Sequence, residues 1–256
     1  EWFSNDYGVR QGDNVSPTLF SLFINDLVSY LKENCPVLHV GDATLNCLLY
    51  ADDMVLIGEN EQDLQLLLDE LYNWCFKWRL KVNEMKTKVM HFRNPKVPLT
   101  EHDFIYGENI LEKVPGYKYL GVILDENLKY DLCSSTLADS GGRALGAIIS
   151  KFKALKNVGF KTFETMYNSG VKPILEYGSG VWGHIAGTSI NNVQNRAMRY
   201  YLGVHKFSPN LDLSGDMGWL TPKLCRSMCH VRLWNRLIAI DDSPITKKNL
   251  NGITVL

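Results

Sequence analysis

Asp52 and Asp53 are adjacent carboxylates in the segment Tyr50-Ala51-Asp52-Asp53, set between the apolar runs Cys47-Leu48-Leu49-Tyr50 and Met54-Val55-Leu56-Ile57. Asn46 before and Gly58 after bound these runs, so they read as two buried strands joined by a tight hairpin. Aspartate tolerates the left-handed backbone of a turn and bonds nearby backbone groups. A turn needs only one such residue, and two like charges beside buried strands repel unless a cation sits between them. A hard divalent ion with oxygen ligands has the matching chemistry. Side chains alternate along extended backbone, so one aspartate is expected as a direct ligand and its neighbour as a supporting or second ligand, with Asp52 the direct one. A solvated hairpin tip with two solubilising acids is the plain alternative.

A second segment, Gly8 to Leu27, reads as a loop feeding a helix. Ser16 is a good N-cap and Pro17 suits the first helical position. Phe20, Phe23, Ile24, Leu27 and Leu31 then recur at helical spacing and predict a continuous apolar face. Arg10, Gln11 and Gly12 place a cation, an amide and a residue without a side chain at the helix entrance. Free backbone N–H groups there favour an anion, and a phosphate or nucleotide can approach closely. An ordinary capped helix after a glycine turn fits the same residues.

Taken together, Gly8 to Leu27, Tyr50-Ala51-Asp52-Asp53 and Leu80-Lys81-Val82-Asn83-Glu84-Met85-Lys86-Thr87-Lys88 resemble, in order and spacing, the reverse transcriptase domain of non-LTR (LINE-like) retrotransposons. Gly116-Tyr117-Lys118-Tyr119-Leu120-Gly121-Val122 looks like the strand with which these enzymes support the primer end, and Trp219-Leu220-Thr221-Pro222 onward looks like their helical tail. The resemblance implies an RNA-directed DNA polymerase: a primer 3′-hydroxyl attacks the α-phosphate of a deoxynucleoside triphosphate, with two Mg2+ ions, or Mn2+, clamping the attacking and leaving oxygens. By similarity, Asp52 and Asp53 form the metal site, while Tyr50 and Ala51 shape the strand where the primer end rests. Gln11 and Gly12 contact nucleotide and template, and Arg10 and Ser16 support their loop. Lys86 stands near the departing pyrophosphate, with Lys88 as its rival; a solvated strand edge explains both lysines equally well. RNA template and DNA primer are the implied partners.

The family also places a metal-binding aspartate on a strand upstream of the Gly8 loop. Seven residues leave no room for it, and Asp6 lies in Trp2-Phe3-Ser4-Asn5-Asp6-Tyr7, which reads as a hairpin end. The chain is therefore expected to be a C-terminal piece with little polymerase activity alone. The alternatives are a non-catalytic RNA- or DNA-binding remnant, or a decayed copy without function.

The formal net charge of −1 over 256 residues matches a nucleic-acid binder poorly, but the charges are unevenly divided. Residues 139–256 carry 15 Lys+Arg against 7 Asp+Glu, and residues 1–138 carry 12 against 21. A basic second half suits a surface that follows a phosphate backbone, and solvated helix faces give the same count. Six scattered cysteines read as reduced core thiols of an intracellular protein, nuclear or cytoplasmic. Cys225, Cys229 and His230 share one helical run without a second cysteine pair, which favours packing over zinc. No stretch approaches the ~18 apolar residues of a membrane span, and no basic-then-apolar leader opens the chain, so secretion is not expected.

The elements that must position these residues follow from period and punctuation. Asn60 caps a helix whose face Leu64, Leu67, Leu68, Leu71, Cys75 and Trp78 should cover the hairpin, with Asp63 returning a capping-box bond. Val89 to Phe92, Phe104 to Ile105 and Tyr117 to Leu124 read as strands, with a turn at Gly107-Glu108-Asn109. Segments near 131–156, 161–176, 188–202 and 222–240 are helical by period, with breaks at Gly159, Gly178 to Gly180 and Pro209. Trp182 or Tyr200, if exposed, would stack on bases; helical spacing makes core the commoner fate. The expected class is α+β: a palm remnant, an antiparallel sheet with helices on one face, over residues 1–128, then a helical thumb over 129–205 and a helical tail over 206–256.

Overall fold

The computed structural model describes residues 12–40, 43–155, 158–185 and 187–239. The chain divides into two compact units. The first takes in the described residues up to Val89 together with Leu99–Val114; the second takes Met90–Pro98 and the described residues from Pro115. The class is mixed, with helices and small strand pairs, as expected for α+β.

In the first unit, α1 (Ser16–Phe23) and α2 (Leu27–Asn34) replace the single helix predicted here. Asn25 and Asp26, poor helix formers, sit in tight turns where Asn25 N–H donates to Leu22 O and Leu27 N–H to Ile24 O. The break lets Ile24, Leu27 and Leu31 enter the core while Leu19, Leu22 and Phe23 stay exposed. Next come β1 (Leu38–Val40) and β2 (Ala43–Leu45), then β3 (Cys47–Tyr50) and β4 (Asp53–Leu56), each pair antiparallel. Helix α3 (Glu61–Trp78) begins as predicted, with Asp63 N–H donating to Asn60 Oδ1 at 2.9 Å. Asp63 answers through Asn60 Nδ2 at 2.8 Å rather than through its backbone N–H. Leu67, Leu68, Leu71, Trp74 and Cys75 of α3 close over Leu27, Leu31 and Cys47 in one core. Four two-residue strands complete the unit: β5 (Lys88–Val89), β6 (Ile105–Tyr106), β7 (Asn109–Ile110) and β8 (Glu112–Lys113). β6 and β7 form an antiparallel hairpin across the predicted Gly107 turn, whereas β5 and β8 pair in parallel. Among the described residues the strands form five two-stranded ladders instead of the one antiparallel sheet anticipated, four of the strands being only two residues long and so offering little edge for a further partner.

The second unit opens with β9 (Gly116–Tyr119) and β10 (Val122–Asp125), an antiparallel hairpin where one strand was predicted. Leu120 (φ 46°) and Gly121 (φ 83°) both take left-handed backbone, the geometry of a two-residue hairpin turn. Tyr177 O–H donates to Leu120 O at 2.9 Å and its ring lies where a Cβ on Gly121 would stand, so only glycine fits there. Asp125 ends the hairpin by accepting from the backbone N–H groups of Asn127, Lys129 and Tyr130. The long helix α4 (Asp131–Ala154) follows, then α5 (Phe160–Gly170) and α6 (Lys172–Leu175), α7 (Ser179–Trp182), α8 (Thr188–Leu202), α9 (Asn210–Met217) and α10 (Pro222–Ala239). The predicted helix 161–176 is interrupted at Val171, just ahead of Pro173. Helices α7 and α9 were not foreseen; both are too short for periodicity to detect. Gly141 lets α4 meet α6 closely, since a Cβ there would stand 2.3 Å from Leu175 Cδ2.

Trp182 and Tyr200 are not base platforms. Trp182 is wholly buried with Nε1 donating to Tyr177 O at 2.9 Å, and Tyr200 is half-buried beside Phe163. Trp219 is likewise core: it stacks on Tyr167 at 4.4 Å between ring centroids, and its Nε1 donates to Glu164. The run it opens is pinned by Gln194 Nε2 donating to Leu220 O at 2.8 Å.

Candidate active site

The register Tyr50↔Asp53 makes Ala51 and Asp52 a two-residue turn between β3 and β4. Ala51, not an aspartate as anticipated, takes the left-handed conformation (φ 53°). Alternation places Cys47, Leu49, Met54 and Leu56 toward the first unit's core and Leu48, Tyr50, Asp53 and Val55 on the other face. Tyr50 is 64% exposed and Leu48 40%, so the strands are buried on one face only, a correction to the expectation of two buried strands. The side chains of Asp52 and Asp53 are both exposed, with no hydrogen bond or ion pair to another described residue. Two carboxylates at a turn of limited freedom, with their oxygens uncommitted, are available as ligands.

The hairpin is held from beneath by Asn46, which sequence reasoning took only as a strand boundary. Its side chain is fully buried, and Nδ2 donates to Leu31 O at 3.0 Å and to Pro36 O at 3.2 Å. Its backbone oxygen accepts from Ile57 N–H at 2.8 Å, closing the open end of the hairpin. One amide thus ties the end of α2 to the base of the strands that carry the aspartates. The only trace in the sequence is a lone polar residue between the buried Leu45 and Cys47.

Arg10 and Gln11 lie outside the described residues. Gly12 is exposed with φ 86°, which by itself calls for glycine whether or not a ligand approaches. Ser16 is the first residue of α1 rather than its cap: Val15 holds the cap position without a side-chain bond, and Ser16 is buried. Asp13 Oδ1 accepts from Val15 N–H at 3.3 Å instead. Among the lysines, Lys88 Nζ is engaged with Glu112 at 2.6 Å across β5 and β8. Lys86 is exposed, in a turn that Asn83 closes by accepting from its backbone N–H at 3.1 Å.

Among the described residues no three His, Cys, Asp or Glu side chains gather to hold a metal ion. The uncommitted carboxylates of Asp52 and Asp53 suit a hard divalent cation as part of its oxygen shell, and the remaining ligands are not among the described side chains. Cys225, Cys229 and His230 make no zinc site there; His230 Nδ1 lies 2.7 Å from Gly180 O and Cys225 is buried. Burial raises the thiols of Cys35 and Cys47 to about 11 and lifts those of Cys75, Cys133 and Cys225 above their ordinary value.

The family described as reverse transcriptase (RNA-dependent DNA polymerase) matches residues 2–124. A probable RNA-directed DNA polymerase from transposon BS of Drosophila melanogaster is 31% identical over 204 residues, covering 75% of this chain and 22% of that protein. The chain belongs to the reverse transcriptase family. The RNA-directed DNA polymerase from mobile element jockey of the same fly is 27% identical over 234 residues, covering 85% of this chain and 24% of that protein. The Pol polyprotein from retrotransposable element R2DM, also of Drosophila melanogaster, is 33% identical over 132 residues, 47% of this chain and 12% of that one. All three relatives come from mobile elements, two of them described as RNA-directed DNA polymerases. This chain spans less than a quarter of their length. No solved structure matches it. The family match takes in every described element of the first unit and runs on through most of β10; the BS and jockey alignments extend further, into the helices.

Proposed function

We propose that this chain contributes the aspartate hairpin of an RNA-directed DNA polymerase that joins deoxynucleotides to a DNA primer on an RNA template. The observation that carries this reading is the pair Asp52 and Asp53, exposed and uncommitted at a turn whose base is bolted by Asn46, in a chain of the reverse transcriptase family. Asp52 would be the direct metal ligand and Asp53 its neighbour. Two magnesium ions, or manganese, would supply charge neutralisation at the transferring phosphate. Tyr50, exposed on the same face as Asp53, and Ala51 would bound the primer end. Gln11 and Gly12 would meet nucleotide and template, with Arg10 and Ser16 behind them. Lys86 would stand near the departing pyrophosphate, with Lys88, which pairs with Glu112 at 2.6 Å, as its rival. The β9–β10 hairpin would support the primer. Palm, thumb and tail over 1–128, 129–205 and 206–256 remain the functional division, and the buried reduced thiols suit work inside the cell, in nucleus or cytoplasm.

A second reading, a nucleic-acid-binding remnant without catalysis, is favoured by one observation: no third acidic ligand joins the two aspartates among the described residues. Incorporation of labelled dTTP on an RNA template with annealed DNA primer separates the two. Magnesium-dependent extension that disappears in Asp52→Ala carries the polymerase reading. Where the isolated chain extends little, Mn2+ bound by wild type and lost in Asp52→Ala still carries the polymerase reading, whereas salt-sensitive duplex binding with no such Mn2+ site carries the other.

A further inference from the structure

In the second unit, α8, α9 and the start of α10 enclose a cleft of about 240 Å³ that the polymerase reading leaves unassigned. Its walls are mixed: the amides of Asn191, Asn192 and Asn195 from α8 and of Asn210 from α9, with the hydroxyls of Thr188, Ser214 and Thr221, face it alongside the apolar Leu211 and Pro222. Two arginines stand behind the amides. Arg199 Nη2 donates to Asn210 Oδ1 at 2.6 Å, and Arg226 Nη1 to Asn191 Oδ1 at 3.4 Å. A guanidinium only donates, so it takes the carbonyl end of each amide and leaves the Nδ2 donors for another partner. Asn192 and Asn195 make no hydrogen bond to any described residue, so their amides are open to a ligand. No carboxylate and no aromatic ring lines the cleft.

These features select the ligand. Donors backed by two fixed cations, with no carboxylate in the lining itself, favour an anion with several acceptor oxygens. The absence of an aromatic wall disfavours a stacked base, since base recognition in single strands relies on such platforms. We propose that the cleft binds a phosphodiester group of a nucleic-acid strand through the Asn191, Asn192, Asn195 and Asn210 amides. The proposal rests on the reading of this chain as a nucleic-acid-handling protein and adds a specific backbone contact on its helical unit. Neutral amides release no counterions, so the contact adds affinity and register without adding salt dependence.

The test is fluorescence anisotropy of a labelled primer–template duplex titrated with the full chain, wild type against Asn192→Ala/Asn195→Ala, at several salt concentrations. Neither side chain hydrogen-bonds another described residue, so the double variant should melt with the wild type, which a thermal scan verifies. The expected result is binding about tenfold weaker with the slope of log affinity against log salt unchanged. A labelled strand with abasic sites in place of bases should show the same loss. Equal affinity for wild type and variant overturns the proposal, and so does a loss confined to the strand that carries bases, which assigns the cleft to a base. Absence of any binding by the wild-type chain overturns the proposal together with the nucleic-acid reading beneath it.

Discussion

Asn46 and Leu31 are joined through a buried amide: Asn46 Nδ2 donates to the Leu31 carbonyl at 3.0 Å, and so the last turn of α2 positions the hairpin that bears Asp52 and Asp53. The opposite atom, Asn46 Oδ1, is buried with no partner among the described residues, so the residue bears a desolvation cost that its two donated bonds offset. Asn46→Ala should destabilise the first unit by about 2 kcal/mol, because it leaves the Leu31 and Pro36 carbonyls without their donor. Asn46→Asp should cost more, since a carboxylate would face two carbonyl oxygens. Urea unfolding checks both, and an Asn46→Asp chain as stable as wild type would disprove the bolt.

Ala51 adopts φ 53° at the tip, a conformation that a β-branched side chain resists. Ala51→Val should therefore cost about 1 kcal/mol or more, while Ala51→Gly should be neutral or mildly stabilising. Chemical denaturation of the two variants under one set of conditions gives the comparison, and a Val variant no weaker than Gly would place the left-handed residue elsewhere.

Asp52 and Asp53 contribute nothing visible to the fold. Alanine at either position should leave the melting temperature within the error of an ordinary surface change, roughly 0.5 kcal/mol. Divalent-cation binding, read by the electron paramagnetic resonance of Mn2+, should fall with each substitution and most with Asp52→Ala. A variant that unfolds the chain instead would mean the pair is structural.

Cys47 links burial to alkaline stability. Its thiol rises from 9.0 to about 11 in the folded chain because burial disfavours the thiolate. The unfolded chain loses this proton first, so the stabilisation is complete below pH 9 and fades as pH climbs toward 11, by on the order of 2 kcal/mol at most. Stability measured from pH 8 to 11 should decline less steeply in Cys47→Ala than in wild type. Parallel slopes would show that the thiol is not desolvated.

Gly121 and Tyr177 fasten the β9–β10 hairpin to the helices. Gly121→Ala must push the Tyr177 ring aside from 2.7 Å and hold a positive φ, which should cost about 2 kcal/mol. Tyr177→Phe loses only the bond to Leu120 O, about 1 kcal/mol. Because the two sites touch, the double variant should cost less than the sum of the singles, and strict additivity would argue that they are independent.

Local chemistry determined several of these features from sequence alone. The two apolar runs around Ala51 and Asp52 form the predicted tight hairpin because the turn is set by neighbours in the chain. Asn60 starts α3 for the same reason, and the order of the motifs from the Gly8 loop to Lys88 was enough to point to the reverse transcriptase family. Contacts between distant residues decided the rest. Period 3.6 could not reveal that Asn25 and Asp26 break the first helix, because the break is favoured by the packing of Ile24 and Leu27 against α3. Tyr117 to Leu124 looked like one strand until Tyr177, more than fifty residues on, required the Leu120-Gly121 turn. Asn46 as a bolt, Trp182 as core, and four asparagines from two helices around one cleft share a cause: each depends on which segments meet in space, and burial and hydrogen-bond partners are settled only when they do.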